Sequence, residues 1–177
     1  MKLARRNNDA PRVADEIGLP LEIHGMPGHL LRRMHQASQA IFDIEIAAAG
    51  LDVTSPQYAA MTVIAAQPGL GQATLATAIA FDRPTTGGVI DRLAAKGLVR
   101  RENDAHDRRL RRLYLEPAGK AVLDKATPVV RRVQEKMLQG LSEPEHATML
   151  RLLTKALGAV GDVARSSARG KASDRGT

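Results

Sequence analysis

Six arginines stand between Arg100 and Arg112, in the stretch GLVRRENDAHDRRLRRLYL, with aliphatic residues at both ends. A guanidinium is planar, permanently charged and carries a fork of donors that matches the oxygens of a phosphate. A solvated loop mixes charges of both signs and does without apolar flanks. Arginines this dense, pinned between LV and LYL, point to an outward surface that meets a polyanion. Strand alternation sends neighbouring side chains to opposite faces, so all six cannot meet one partner. The stretch also holds His106 beside Asp107, but in a run of turn formers, and an exposed turn is a poor seat for acid–base chemistry. No nucleophile, base and orienting acid group together elsewhere, so an enzyme is not expected.

The whole chain agrees with such a partner. Its 177 residues suffice for one domain with a real core. The formal net charge of +7 suits nucleic acid, an anionic membrane face or an acidic protein. The absence of cysteine excludes disulfides, thiolate metal sites and thiol switches. No apolar run reaches the roughly 18 residues of a membrane span, and the N-terminus MKLARRNNDAPRVADEIG lacks the apolar stretch of a secretion signal. A cytoplasmic protein without a membrane partner is expected. Phe42, Tyr58, Phe81 and Tyr114 are too few to stack a single strand of bases.

The elements that must position the arginines follow from periodicity and punctuation. Residues 1–18 read as a flexible N-terminal arm and 166–177 as a disordered basic tail, around a single domain over 19–165. Leu30, Met34, Ala37, Ile41 and Ile44 recur at spacings of four and three, which predicts a helix over about 27–50 closed by Gly50. TSPQYAAMTVIAAQPG predicts a second helix with Ser55 as N-cap and Pro56 at its first position. PGLGQAT reads as a turn, because its G-x-G lacks a preceding strand. A short helix, ATLATAIA, follows Gly71, and another runs from about Pro84 to Lys96 and stops at Gly97. LVRR and LRRLYL are β-compatible and read as a hairpin across ENDAHDR, with a register that Leu110, Leu113 and Leu115 leave open. Helices return over about 118–139 and 143–164, the second capped by Ser142. That last helix carries two apolar stripes, Met149, Leu153, Ala156, Val160 and Leu150, Leu157, Ala164, so it needs cover on more than one side.

Two short helices followed by an arginine-bearing hairpin form a winged helix-turn-helix, in which the second helix enters a DNA major groove and the hairpin reaches the backbone or minor groove. The order LATAIAFDRPTTGGVIDRLAAKGLVRRENDAHDRRLRRLYLEPAGKAVL carries a resemblance. Asp82 before the second helix, DRLAAKGLVRR, the DRR of the hairpin with Leu113 and Leu115 after it, and PAG opening the next helix resemble the MarR family of bacterial transcription regulators. The resemblance implies a mainly α fold with one β-hairpin. It also implies a dimer built from N- and C-terminal helices (27–50 and 118–164), with a winged-helix DNA-binding lobe over 55–115.

The second short helix, PTTGGVIDRLAAK, would turn Val89, Ile90, Leu93 and Ala94 inward and leave Arg83, Thr85, Thr86, Gly88, Asp91 and Arg92 partly or fully outward. Expected DNA contacts are Arg83, Thr85, Thr86, Gly88 and Arg92 on this helix, and Arg101, Asp107, Arg108, Arg109 and Arg111 on the hairpin. Arg108 and Arg109 at its tip suit a narrow minor groove, and Arg101 and Arg111 suit phosphates. The resemblance implies that Asp107 pairs with Arg109 and aims it. Many relatives carry a longer polar side chain where Gly88 stands and a serine where Pro84 stands. Two adjacent glycines cost roughly 1 kcal/mol each in a helix, either for close approach to DNA or merely tolerated; base readout from position 88 does not carry over.

Family members commonly bind a small anionic aromatic molecule. A cationic end and an apolar slot suit such a carboxylate. His24, His29, Arg33, Tyr58, Met61 and Thr62 are the expected ligand residues, although Arg and His at a helix start are also ordinary solvent-facing residues. No cofactor or metal is called for, since the histidines lack a third or fourth ligand at fitting spacing. Leu19, Leu21, Leu150, Leu153, Leu157 and Val160 are the expected dimer contacts. The reading is a homodimeric regulator of double-stranded DNA, a repressor released from a pseudo-palindromic operator by a benzoate-, cinnamate- or hydroxynicotinate-like acid. An effector-blind or activating regulator, and more remotely an enzyme or carrier on a helical dimer, stay open.

Overall fold

The computed structural model describes residues 22–104 and 111–173, with side chains over 23–104 and 111–160. Where the sequence predicts one domain over 19–165, contacts divide the chain into two compact units, Met1–Val133 and Gln134–Thr177.

In the first unit a 3-10 turn, Glu22–Gly25, leads into α1 (Pro27–Ala48). The predicted stripe of α1 is only partly its packed face, with Ile41 against the core. Phe42 and Ile46 are buried while Leu30 and Ile44 remain 49% and 66% exposed, so α1 enters the core of its unit through its C-terminal half. Helix α2 (Ser55–Ala66) begins at its expected cap, and the observed cap lies one residue earlier. Thr54, not Ser55, accepts the Gln57 N–H, and the Thr54 N–H donates to Gln57 Oε1 at 3.0 Å. The extended backbone of Thr54 (φ −87°, ψ 161°) sets its hydroxyl over the third amide of the helix, where Ser55 is already helical.

After α2 come β1 (Leu70–Gly71), α3 (Gln72–Ala78), α4 (Arg83–Ala95), β2 (Val99–Asn103) and β3 (Arg111–Leu115). The hairpin is part of a three-stranded antiparallel sheet, order β1-β3-β2. The extra strand lies in PGLG, which the sequence presents only as a turn; two residues show no period, and Leu70 earns its place by burial opposite Leu113. Met61, Ile64, Leu75, Ile90, Leu93 and Leu113 fill the centre, each essentially without solvent contact. Helix α5 (Pro117–Leu138) closes this core with Leu123, Ala126, Val129 and Val133, one face at spacings of three and four.

In the second unit α6 (Glu143–Ser173) starts at a cap in which the Ser142 hydroxyl and N–H both donate to Glu145 Oε2, at 2.7 and 2.8 Å. Those two bonds hold the Glu145 carboxyl below its usual range. The helix runs on to Ser173, beyond the expected end at Ala164 and through part of the expected disordered tail. SSARGKAS contains no proline and is carried by Ala, Arg and Lys, all good helix formers. Met149 and Leu153 are half-buried, whereas Leu150, Leu157 and Val160 are exposed. Among the described residues no helix is long and apolar enough to cross a membrane.

Candidate nucleic-acid interface

Helices α3 and α4 meet through a turn set by local chemistry. Ala80 takes a left-handed conformation (φ 57°), and the Phe81 N–H returns to the Ala76 carbonyl at 3.1 Å, which closes α3 in a Schellman-type bond. Asp82 then caps α4. Its Oδ1 accepts the Thr85 N–H at 2.7 Å and its Oδ2 accepts the Thr85 hydroxyl at 2.9 Å. The backbone bond first, and the hydroxyl next, depress the pKa of Asp82. Gln72 Nε2 donates to the Arg83 carbonyl at 3.2 Å and pins the start of α4 to the start of α3.

Val89, Ile90 and Leu93 seat α4 in the core. Arg83, Thr85, Asp91 and Arg92 are exposed and Gly88 is half-buried, as the helical period predicts. Thr86 is the exception. It is fully buried and its hydroxyl donates to the Asp82 carbonyl at 2.8 Å, so its side chain offers nothing to a groove. The signal was present: Thr86 stands three, four and seven residues from Val89, Ile90 and Leu93 and belongs to the inner stripe. Gly88 lies beside Arg92, since a Cβ built there would meet Arg92 Nη2 at 3.8 Å, an ordinary contact. Helical side chains lean toward the N-terminus, which carries Arg92 back over position 88.

Gly97 (φ 67°) turns the chain out of α4. Its N–H donates to the Ala94 carbonyl and the Leu98 N–H to the Leu93 carbonyl, both at 2.9 Å, with Leu98 and Leu93 buried together. At the same end Lys96 Nζ reaches the Asp52 carboxylate and carbonyl, each at 2.8 Å, and ties the start of α2 to the end of α4. Nothing short-range in the sequence marks that tie.

The hairpin register pairs Val99 with Leu115, Arg101 with Leu113 and Asn103 with Arg111 on one face, and Arg100 with Tyr114 and Glu102 with Arg112 on the other. It sorts the arginines. Arg100 lies 4.4 Å over the Tyr114 ring and pairs with Glu116 and Glu102. Arg112 Nε donates to Asp104 Oδ2 and its Nη1 to the Gly69 carbonyl at 3.2 Å. Both are clamps of the sheet. Arg101, expected along a phosphate, is instead held by Asp91 of α4. Arg111 is exposed. Asp107, Arg108 and Arg109 lie outside the described residues.

The expected ligand residues are only partly brought together. The His24 and His29 rings meet edge to face at 5.3 Å. Both ring nitrogens of His24 and Nε2 of His29 are out of solvent and have no hydrogen-bond partner among the described residues. Burial, then the charges of Arg32, His24 and Arg33, lower the pKa of His29 and favour its neutral ring. Arg33 is exposed. Met61 is sealed in the core at 0% exposure, so it lines no slot. The Tyr58 hydroxyl faces Thr127 Oγ1 at 3.5 Å, and the Thr62 hydroxyl donates to the Tyr58 carbonyl. No hydrogen bond, ion pair or ring contact among the described residues joins these three to the histidines. A cleft of about 350 Å³ lies elsewhere, bounded by Ile64, Pro68, Arg100, Tyr114, Pro117 and Lys120, and contains none of the six. Of the expected dimer contacts, Leu150, Leu157 and Val160 are exposed and Leu153 is half-buried, while Leu19 and Leu21 lie outside the described residues.

A short helix, a capped second helix and a hairpin fastened to it define a winged helix-turn-helix. Residues 53–110 match the family model described as MarR family. The transcriptional regulator HosA of Escherichia coli O127:H6 is 36% identical over 129 residues, 73% of this chain and 93% of HosA. The HTH-type transcriptional repressor NicR of Pseudomonas putida is 33% identical over 147 residues, 83% of this chain and 92% of NicR. The structure of BpsR from Bordetella bronchiseptica, solved to explain regulation of its DNA binding by 6-hydroxynicotinic acid, matches with a TM-score of 0.72 at 30% identity. It covers 78% of this chain and 97% of BpsR. The chain belongs to the MarR family of transcriptional regulators and is a regulator, not an enzyme.

Proposed function

We propose that the chain represses transcription as a homodimer bound to a pseudo-palindromic duplex operator, with α4 in the major groove and the hairpin alongside. The observation that carries this reading is the outward face of α4, where Arg83, Thr85 and Arg92 stand exposed on a helix whose other face is locked in the core. Arg108 and Arg109, which lie between the two hairpin strands in the sequence, complete the proposed contact. Two such helices would enter major grooves about 34 Å apart, one helical turn. The exposed Leu150, Leu157 and Val160 of α6 supply apolar surface that a second copy would cover, and Leu30 and Ile44 of α1 do so separately in the first unit.

The same reading assigns a small aromatic carboxylate as the signal that releases the operator. NicR is a repressor and BpsR answers to 6-hydroxynicotinic acid, and the His24–His29 pair here holds imidazole nitrogens without partners among the described residues. Such an acid would act by binding a DNA-incompetent arrangement more tightly than the competent one. A second reading, an effector-blind regulator, is favoured by Met61 being sealed in the core and by the described cleft lying away from the histidines.

Selection of duplexes from a randomised pool tests the first claim. A two-fold-related consensus supports it, and recovery of no preferred sequence overturns it. Titrating the complex with 6-hydroxynicotinate, benzoate and cinnamate then separates the two readings. Release that is lost in His24→Ala or His29→Ala supports the aromatic acid, and no change with any of the three supports the effector-blind form.

A further inference from the structure

Asp91 stands where a carboxylate harms a helix that meets phosphates. Its side chain is 65% exposed on the outward side of α4, directly before Arg92. Unpaired, it would repel the duplex. Its partner comes from the hairpin, where Arg101 Nη2 donates to Asp91 Oδ1. Arg101 sits opposite buried Leu113, on the sheet face it shares with Val99, while Arg100 on the other face goes to Tyr114 and Glu116. Alternation therefore delivers Arg101 to α4 and keeps Arg100 away from it.

Resting on the DNA-binding reading above, we infer that Asp91 and Arg101 are positioning residues, a latch that sets the angle of the hairpin on α4. The latch joins the two elements that would read one duplex, so it governs how well both fit a given sequence at once. It contributes nothing to general attraction, because the pair is already neutral. A phosphate-bound arginine behaves differently. It releases a counterion and adds about 0.9 to the slope of log affinity against log salt.

The test uses the full chain as wild type, Asp91→Ala, Arg101→Ala and the double variant. Each is measured over a salt series on the duplex that the wild type selects from a randomised pool and on a scrambled duplex of equal length. Each single variant should lower the preference for the selected duplex about two- to fivefold, the scale of an exposed ion pair. The double variant should lose no more than the worse single and keep the wild-type salt slope. Asp91→Ala should bind the scrambled duplex more tightly, since a negative charge has gone. Additive losses, or a slope lower by about 0.9 in the double variant, would overturn the latch in favour of a phosphate contact. Backbone amide exchange over β2 gives a readout free of DNA. Equal acceleration in both single variants supports the latch, and unchanged exchange overturns it. A wild type that selects no duplex would sink the regulator's DNA-binding reading instead, and the exchange measurement would still decide the pair.

Discussion

Asp82 accepts two hydrogen bonds from the same residue, Thr85, one from its N–H at 2.7 Å and one from its hydroxyl at 2.9 Å. The pair fixes the first turn of α4, the segment that presents Arg83 and Thr85. Both bonds favour the charged carboxylate, and the Asp82 pKa falls below 3.8 in consequence. A depressed carboxylate stabilises the fold above its unfolded pKa, and that contribution is lost as pH drops through the folded value. Asp82→Asn keeps a capping oxygen but cannot titrate. The stability gap between wild type and Asp82→Asn should be constant at neutral pH and shrink as the pH is taken down from about 4. Thermal melts of the two proteins across that range check it, and a gap that widens on acidification would contradict the assignment.

Ala80 holds a left-handed backbone that glycine adopts freely and that costs an L residue about 1–2 kcal/mol. Glycine also makes the unfolded chain more flexible, which takes back part of the gain. Ala80→Gly should therefore stabilise the protein by about 0.5–1 kcal/mol, read as a higher urea midpoint with an unchanged m-value.

Gly119 lets the start of α5 lie against the chain that leaves α4. A Cβ there would fall 2.2 Å from the Leu98 carbonyl oxygen and 2.7 Å from Leu115 Cδ1. That carbonyl also accepts the Glu116 N–H at 3.0 Å and cannot retreat without loss. Gly119→Ala should cost about 1–3 kcal/mol of overpacking. The same change at Gly140, with no neighbour within 4 Å, should cost far less, and equal melting temperatures for the two variants would refute the close-packing account.

The fold was legible where the signal was local and periodic. Gly97 after DRLAAK marked the end of α4, and Val89, Ile90 and Leu93 marked its buried face, because a terminus and a stripe are written in adjacent residues. Thr86 was legible by the same spacing, but its hydroxyl drew it to the DNA side. β1 was hidden because a two-residue strand has no period and exists only through Leu113. The division of labour among the arginines was hidden for a related reason. Which of Arg100, Arg101 and Arg112 turns inward depends on the register of β2 on β3 and on acids from α4 and the loops, none of them a neighbour in the pattern. Met61 shows the reverse error, where a plausible slot residue proved to be core.

The account depends on the exposed arginines of α4 meeting duplex DNA. Its most direct test is the salt dependence of affinity for the selected duplex, wild type against Arg83→Ala/Arg92→Ala. The prediction is weaker binding and a slope of log affinity against log salt that is shallower by roughly 0.9 for each arginine engaged with a phosphate. Unaltered affinity together with an unaltered slope would contradict it.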